Sequence, residues 1–168
     1  QRQSNYELSN LMIKIGRLQS YLLALILGGF ILLGEPFIRL WAGKDFVNAY
    51  IITLLILIPF TIDLIQNIGL TIMQAKNRYG ARTRIYTVLA ILNMILVIPA
   101  SYYWKGIGAA LVSGLFLFIA NAICMNYYYW KYMELDIVRF WKSVSKIWVT
   151  VVLLTLVLLI VKEYISIQ

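Results

Sequence analysis

Asp63, Gln66 and Asn67 interrupt a run from Ile51 to Met73 that is otherwise almost wholly apolar, and Gln74 follows directly. At about 100° per residue these four share an arc of roughly 100° on a helix, so one face is polar while the rest is largely Ile and Leu. A polar or ionisable group at bilayer depth costs several kcal/mol unless it meets protein or water, so this arc is expected to look inward. Asp63 falls about midway along the run and is the acid placed most clearly in hydrocarbon. It reads either as an ion- or substrate-linked site or as a buried acid satisfied by neighbouring helices.

Glu35 and Arg39 form a second candidate at i and i+4, the spacing of a helical ion pair. Arg39 could offer a forked donor to a phosphate or carboxylate; its place at a span end equally suits an arginine reaching up to the headgroups. Asn93, Asn121 and Asn126 are uncharged amides inside apolar segments, where bonding between helices is the expected role. Pro36, Pro59 and Pro99 all fall in or at apolar segments, and Pro59 lies one turn before Asp63, where a kink would free carbonyls beside the carboxylate.

Other chemistry is thinly represented. The chain has no histidine, and its single cysteine, Cys124, is embedded in apolar sequence, so a zinc site or an internal disulfide cannot be assembled. No phosphate loop, nucleophile elbow or dinucleotide fingerprint occurs. The expectation is a protein that is not an enzyme, with no catalytic residue, no metal and no cofactor. The net charge of +8 is not read as nucleic-acid binding, because basic and aromatic residues do not share a soluble face.

The elements that must position these groups are apolar helices. About 20 apolar residues cross roughly 30 Å of hydrocarbon, and five stretches qualify: 18–41, 48–74, 85–104, 106–130 and 147–165. Hydrophobic residues make up 62% of the 168, beyond ordinary soluble composition. The expected fold is an all-α integral membrane protein with five transmembrane helices. Residues 1–17 and 134–146 are read as amphipathic segments in the cytoplasmic interface, the latter carrying Leu135, Ile137, Val138, Phe140 and Trp141. They flank a four-span block at 18–133, and 147–168 supplies the fifth span.

Eleven of the 15 basic residues fall on one side of this layout, among them Lys14, Arg17, Arg78, Arg82 and Arg139; Arg39, Lys44, Lys105 and Lys162 fall on the other. Cytoplasmic loops retain positive charge, so the N-terminus is placed in the cytoplasm and the C-terminus outside. Trp41, the Tyr102–Trp104 triplet and the run Tyr127 to Tyr132 are read as interfacial aromatic belts. Gly106, Ala109, Ala110, Ser113, Ala120 and Cys124 form a small-residue face suited to close packing. An opening Gln1 and the absence of a cleavable signal suggest a fragment.

The string from Gly34-Glu35-Pro36-Phe37 through Trp41-Ala42-Gly43 to Phe46, with Ala49 and Tyr50, resembles a stretch of the polysaccharide flippases of the multidrug/oligosaccharidyl-lipid/polysaccharide exporter superfamily. Gln66-Asn67-Ile68-Gly69, Gln74-Ala75-Lys76-Asn77-Arg78, Leu92-Asn93 and Gly106-Ile107-Gly108-Ala109-Ala110 follow in the order of that family's C-terminal half. The resemblance spans about residues 8–142. It implies most of the C-terminal lobe of a two-lobed transporter, working with an N-terminal lobe beyond this sequence. Its load would be a polyprenyl-pyrophosphate-linked oligosaccharide, moved across the cell membrane by alternating access with exchange of a coupling cation. Arg39, Asp63, Gln66 and Asn67 are the positions that could line the cavity. A cation-coupled drug exporter of the same superfamily and a non-transporting scaffold subunit of a polysaccharide-assembly complex are the alternatives.

Overall fold

The computed structural model describes residues 2–167, with side chains from 5 to 160. Arg2 and Lys162, counted above in the charge distribution, therefore have side chains outside the described residues, as does the end of the fifth apolar stretch. Helices account for nearly all of the described chain, and no strand occurs among the described residues.

Helix α1, Arg2–Trp41, is one uninterrupted rod that passes through Pro36. At about 1.5 Å per residue its 40 residues reach about 60 Å, twice the hydrocarbon thickness. No helix break marks the expected boundary between residues 1–17 and the first span. Hydropathy falls before residue 18, but Leu8, Leu11, Met12 and Ile15 continue the same helical phase, and nothing there breaks backbone hydrogen bonding.

The expected span 48–74 is two helices, α2 at Asn48–Ile65 and α3 at Asn67–Ala75, separated at Gln66 by φ −92 and ψ 5. Pro59 lies inside α2 without ending it. Gln19 of α1, with its amide nitrogen turned toward α2, donates to the Leu64 and Ile65 carbonyls at 3.0 and 3.2 Å, so the interruption is capped from outside.

Helix α4, Tyr79–Phe118, reverses at Lys105, where φ is 52 and ψ −137. In a straight helix residues 86 and 121 would stand about 50 Å apart; instead the Tyr86 hydroxyl donates to Asn121. The two arms form a tight hairpin in which Gly108 lies against the Ala100 carbonyl. The returning arm widens into a π-helical segment, Ile119–Met125, then becomes α5, Asn126–Met133, which ends at Glu134 in the left-handed conformation (φ 54). Asp136 caps α6, Ile137–Ile167, by accepting the Arg139 backbone N–H at 3.0 Å.

Helices α1 and α6 run parallel, because Gly16 meets Phe140 while Gly28 meets Val151 and Thr155. Four helical stretches are long and apolar enough to cross a membrane: Asn5–Trp41, Lys44–Ile65, Tyr79–Met133 and Ile137–Ile160. At most 28% of any apolar window is buried, so most of this hydrophobic surface faces outward, as bilayer solvent permits.

The densely packed core lies at one end. Met12, Ile65, Met73, Met125, Tyr129, Met133, Leu135, Phe140 and Val144 are each no more than 2% exposed. Residues of 134–146, read from the sequence as an amphipathic segment, pack into this core. Leu135, Ile137 and Phe140 are core residues, Trp141 is partly buried, and Val138 alone of the five points outward, at 74% exposure. The apolar residues of this amphipathic pattern, Val138 apart, serve protein packing.

Candidate polar site between α2 and the α4 hairpin

Asp63 sits in the last turn of α2, three residues before the interruption at Gln66. Arg82, one turn into α4, donates from Nη2 to Asp63 Oδ1 at 2.9 Å, with both side chains largely enclosed. The Arg82 guanidinium also lies 4.5 Å from the centroid of the Tyr86 ring, a cation–π contact one turn along the same helix. The pair is single-pronged. The second oxygen of Asp63 has no hydrogen bond among the described residues and remains able to accept one.

Tyr86 extends the site. Its single hydroxyl proton goes to Asn121 Oδ1 at 2.5 Å, with Asp63 Oδ1 at 3.5 Å. Asn121, 1% exposed, belongs to the π-helical segment and returns its own amide to the Leu117 carbonyl. Such wide turns occur where a helix must aim a side chain that regular geometry would misplace.

A second cluster adjoins the first. Gln66, 2% exposed, donates to Asn126 Oδ1 at 2.9 Å, and the indole N–H of Trp141 donates to the same oxygen at 3.0 Å. Asn126 in turn donates to the Ala122 carbonyl. Residues of α2, α4, the π-helical segment, α5 and α6 are thus joined by polar contacts. The Gln66 side-chain oxygen, Oε1, and the Tyr129 hydroxyl are buried without a hydrogen-bond partner. Tyr129 is fully enclosed against Gly69, with Arg82 and Asp63 within electrostatic reach.

The polar arc predicted from Asp63 through Gln74 divides at the helix break. Asp63 and Gln66 point into the protein, whereas Asn67 and Gln74 are exposed. The physical reason is the Gln66 turn, which rotates α3 out of phase with α2 and cancels an extrapolation that assumed one straight helix. Asn93 lines a separate cavity of about 260 Å³ between the arms of α4, shared with Tyr86, and its side-chain oxygen is unpartnered. Glu35 and Arg39 do pair, at 2.7 Å, but both are about half exposed and neither joins the Asp63 cluster.

Sequence reasoning missed Arg82, which it counted as a cytoplasmic loop charge, together with Tyr86. Their four-residue spacing on a helix that already carries the apolar period was the available signal. It also placed Tyr129 in an aromatic belt. That holds in exposure for Tyr127, Trp130 and Tyr132, but Tyr129 falls on the opposite face of α5 and is core. The small-residue face is centred on Gly108, Ala110, Gly114 and Ala120, which are buried, while Gly106 is exposed.

No group of His, Cys, Asp and Glu able to hold a metal occurs among the described residues. Comparison with known protein families, with curated proteins and with solved structures yields no match.

Proposed function

We propose that this chain forms most of one lobe of an alternating-access transporter that flips a polyprenyl-pyrophosphate-linked oligosaccharide across the cell membrane for surface polysaccharide synthesis. The observation that carries this reading is the Asp63–Arg82 pair, held between a helix broken at Gln66 and a helix widened at Ile119–Met125. Ionisable residues in apolar helices are costly and mark pathways, and interrupted helices are the usual scaffold of transport sites. In this reading the α4 hairpin supplies two crossings, giving five, with the N-terminus cytoplasmic and a companion lobe completing the cavity. The open oxygen of Asp63 would take the coupling cation, a role equally suited to a drug exporter of the same superfamily.

The test is export of surface glycan by the full-length protein carrying Asp63→Asn or Arg82→Gln. Transport predicts that flux per molecule in the membrane is lost, beyond any fall in abundance. A second reading, a non-transporting scaffold for a polysaccharide-assembly complex, draws on the mutual neutralisation of the pair and the shared amide bonds of Gln66 and Asn126. It predicts that flux falls only in proportion to abundance.

A further inference from the structure

We propose that the groove between α1 and α6 holds the headgroup of an anionic phospholipid of the cytoplasmic leaflet, an inference that rests on the membrane-spanning reading above. A cavity of about 560 Å³ opens there, lined by Arg17 and Tyr21 of α1 and by Arg139, Lys142, Ser143 and Lys146 of α6. No acidic residue lines it. Because Gly16 packs on Phe140, Arg17 stands level with the basic stretch of α6 rather than a turn above or below it.

Three of these four charges are not used elsewhere. Arg139 lies over the Tyr6 ring at 5.4 Å, but Arg17, Lys142 and Lys146 make no side-chain hydrogen bond or ion pair among the described residues. Like charges drawn to one groove repel unless an anion joins them. The Ser143 and Tyr21 hydroxyls likewise have no partner there and can donate to a phosphate oxygen.

The lining changes character along the helix axis, and this selects a lipid over a free anion. Beyond Lys146 the cavity wall is Ile147, Thr150 and Val151, and Val151 also lines a neighbouring groove of about 410 Å³ that is almost wholly apolar, with Leu27, Ile31 and Leu156. From Arg139 to Val151 is about 18 Å of helix. The cations end at Lys146 and branched hydrocarbon predominates beyond it, matching a phosphate headgroup at one end and an acyl chain at the other. Basic pockets between helices on the cytoplasmic side are suited to anionic headgroups.

The experiment is native mass spectrometry of the full-length protein released from phosphatidylcholine vesicles containing a minor fraction of phosphatidylglycerol. The wild type is expected to retain phosphatidylglycerol well above its share of the vesicle. Each of Arg17→Gln, Lys142→Gln and Lys146→Gln should lower that enrichment, roughly fivefold per residue. Arg78→Gln with Arg84→Gln, basic residues outside the groove, should leave it unchanged. Equal loss in that control, or undiminished enrichment in the triple variant, overturns the proposal. Displacement of the lipid by inorganic pyrophosphate also overturns it, because the groove would then be a free-anion site. Thermal unfolding separates loss of fold from loss of the site: should the triple variant unfold, the single Lys146→Gln change, at an exposed position, decides. Alkaline carbonate extraction separates the two readings, since release from the membrane defeats the membrane reading and retention without lipid enrichment defeats only this one.

Discussion

Gly114, on the returning arm of α4, lies against the backbone carbonyl of Leu55 in α2. That carbonyl is the one that Pro59, four residues later and without an N–H, leaves unbonded inside the helix. The proline therefore opens a polar group, and the glycine lets the neighbouring backbone close over it.

Adding a methyl group at this point is expected to be costly. Gly114→Ala should lower stability by about 1–3 kcal/mol through overpacking against backbone that cannot yield. Gly29→Ala has nothing within 4 Å of the new carbon and should raise stability by up to about 1 kcal/mol from improved helix propensity. Denaturation of the detergent-solubilised protein measures both, and equal effects at the two sites would remove the close-approach argument.

The Asp63–Arg82 pair should behave as a unit. Asp63→Asn or Arg82→Gln alone leaves an enclosed charge uncompensated and should cost about 3 kcal/mol. The double variant should cost clearly less than the two combined, as expected for residues in contact. A double-mutant cycle on thermal stability reads the coupling. Strict additivity would show that the two side chains act independently.

Phe140 and Val138 provide a test of where the core lies. Phe140→Ala, at 1% exposure, should destabilise by about 3–5 kcal/mol, whereas Val138→Ala, at 74%, should change stability by less than about 0.5 kcal/mol. A larger effect at Val138 than at Phe140 would place the core on the opposite face of α6.

The reversal at Lys105 places a residue with a Cβ at φ 52 and ψ −137, a region that glycine occupies freely. Lys105→Gly should therefore stabilise the chain by about 1 kcal/mol, read as a raised unfolding midpoint. In a Cys124→Ala background, a cysteine at 105 and one at Asn77 should react with impermeant maleimide from opposite faces of the membrane. Labelling of both from one face would rule out the hairpin as two crossings.

The apolar helices were legible because hydropathy over about 20 residues is a strong, local signal. The loop at Lys105 was legible too, as the polar gap beside Trp104. What escaped was any feature set by phase between elements. The turn at Gln66 carries no proline or glycine of its own, so nothing in the string announced that Asn67 would leave the face of Asp63. Arg82 was miscounted for a related reason: charge asymmetry assigns a residue to a side of the membrane but says nothing of how far its side chain reaches back between helices. Phe140 and Tyr129 were misplaced because a sequence pattern distinguishes polar from apolar surroundings, and lipid and protein interior look alike by that measure.

The pairing of α1 with α6 has a consequence for biogenesis. A polypeptide emerges from the ribosome N-terminus first, so Gly16 must await a partner more than a hundred residues behind it in synthesis. The earlier helices can form one by one, but the end of the bundle built around Met12 and Phe140 can lock only when α6 arrives. Until then Met12 and its neighbours lack the apolar cover that Phe140 and Val144 supply.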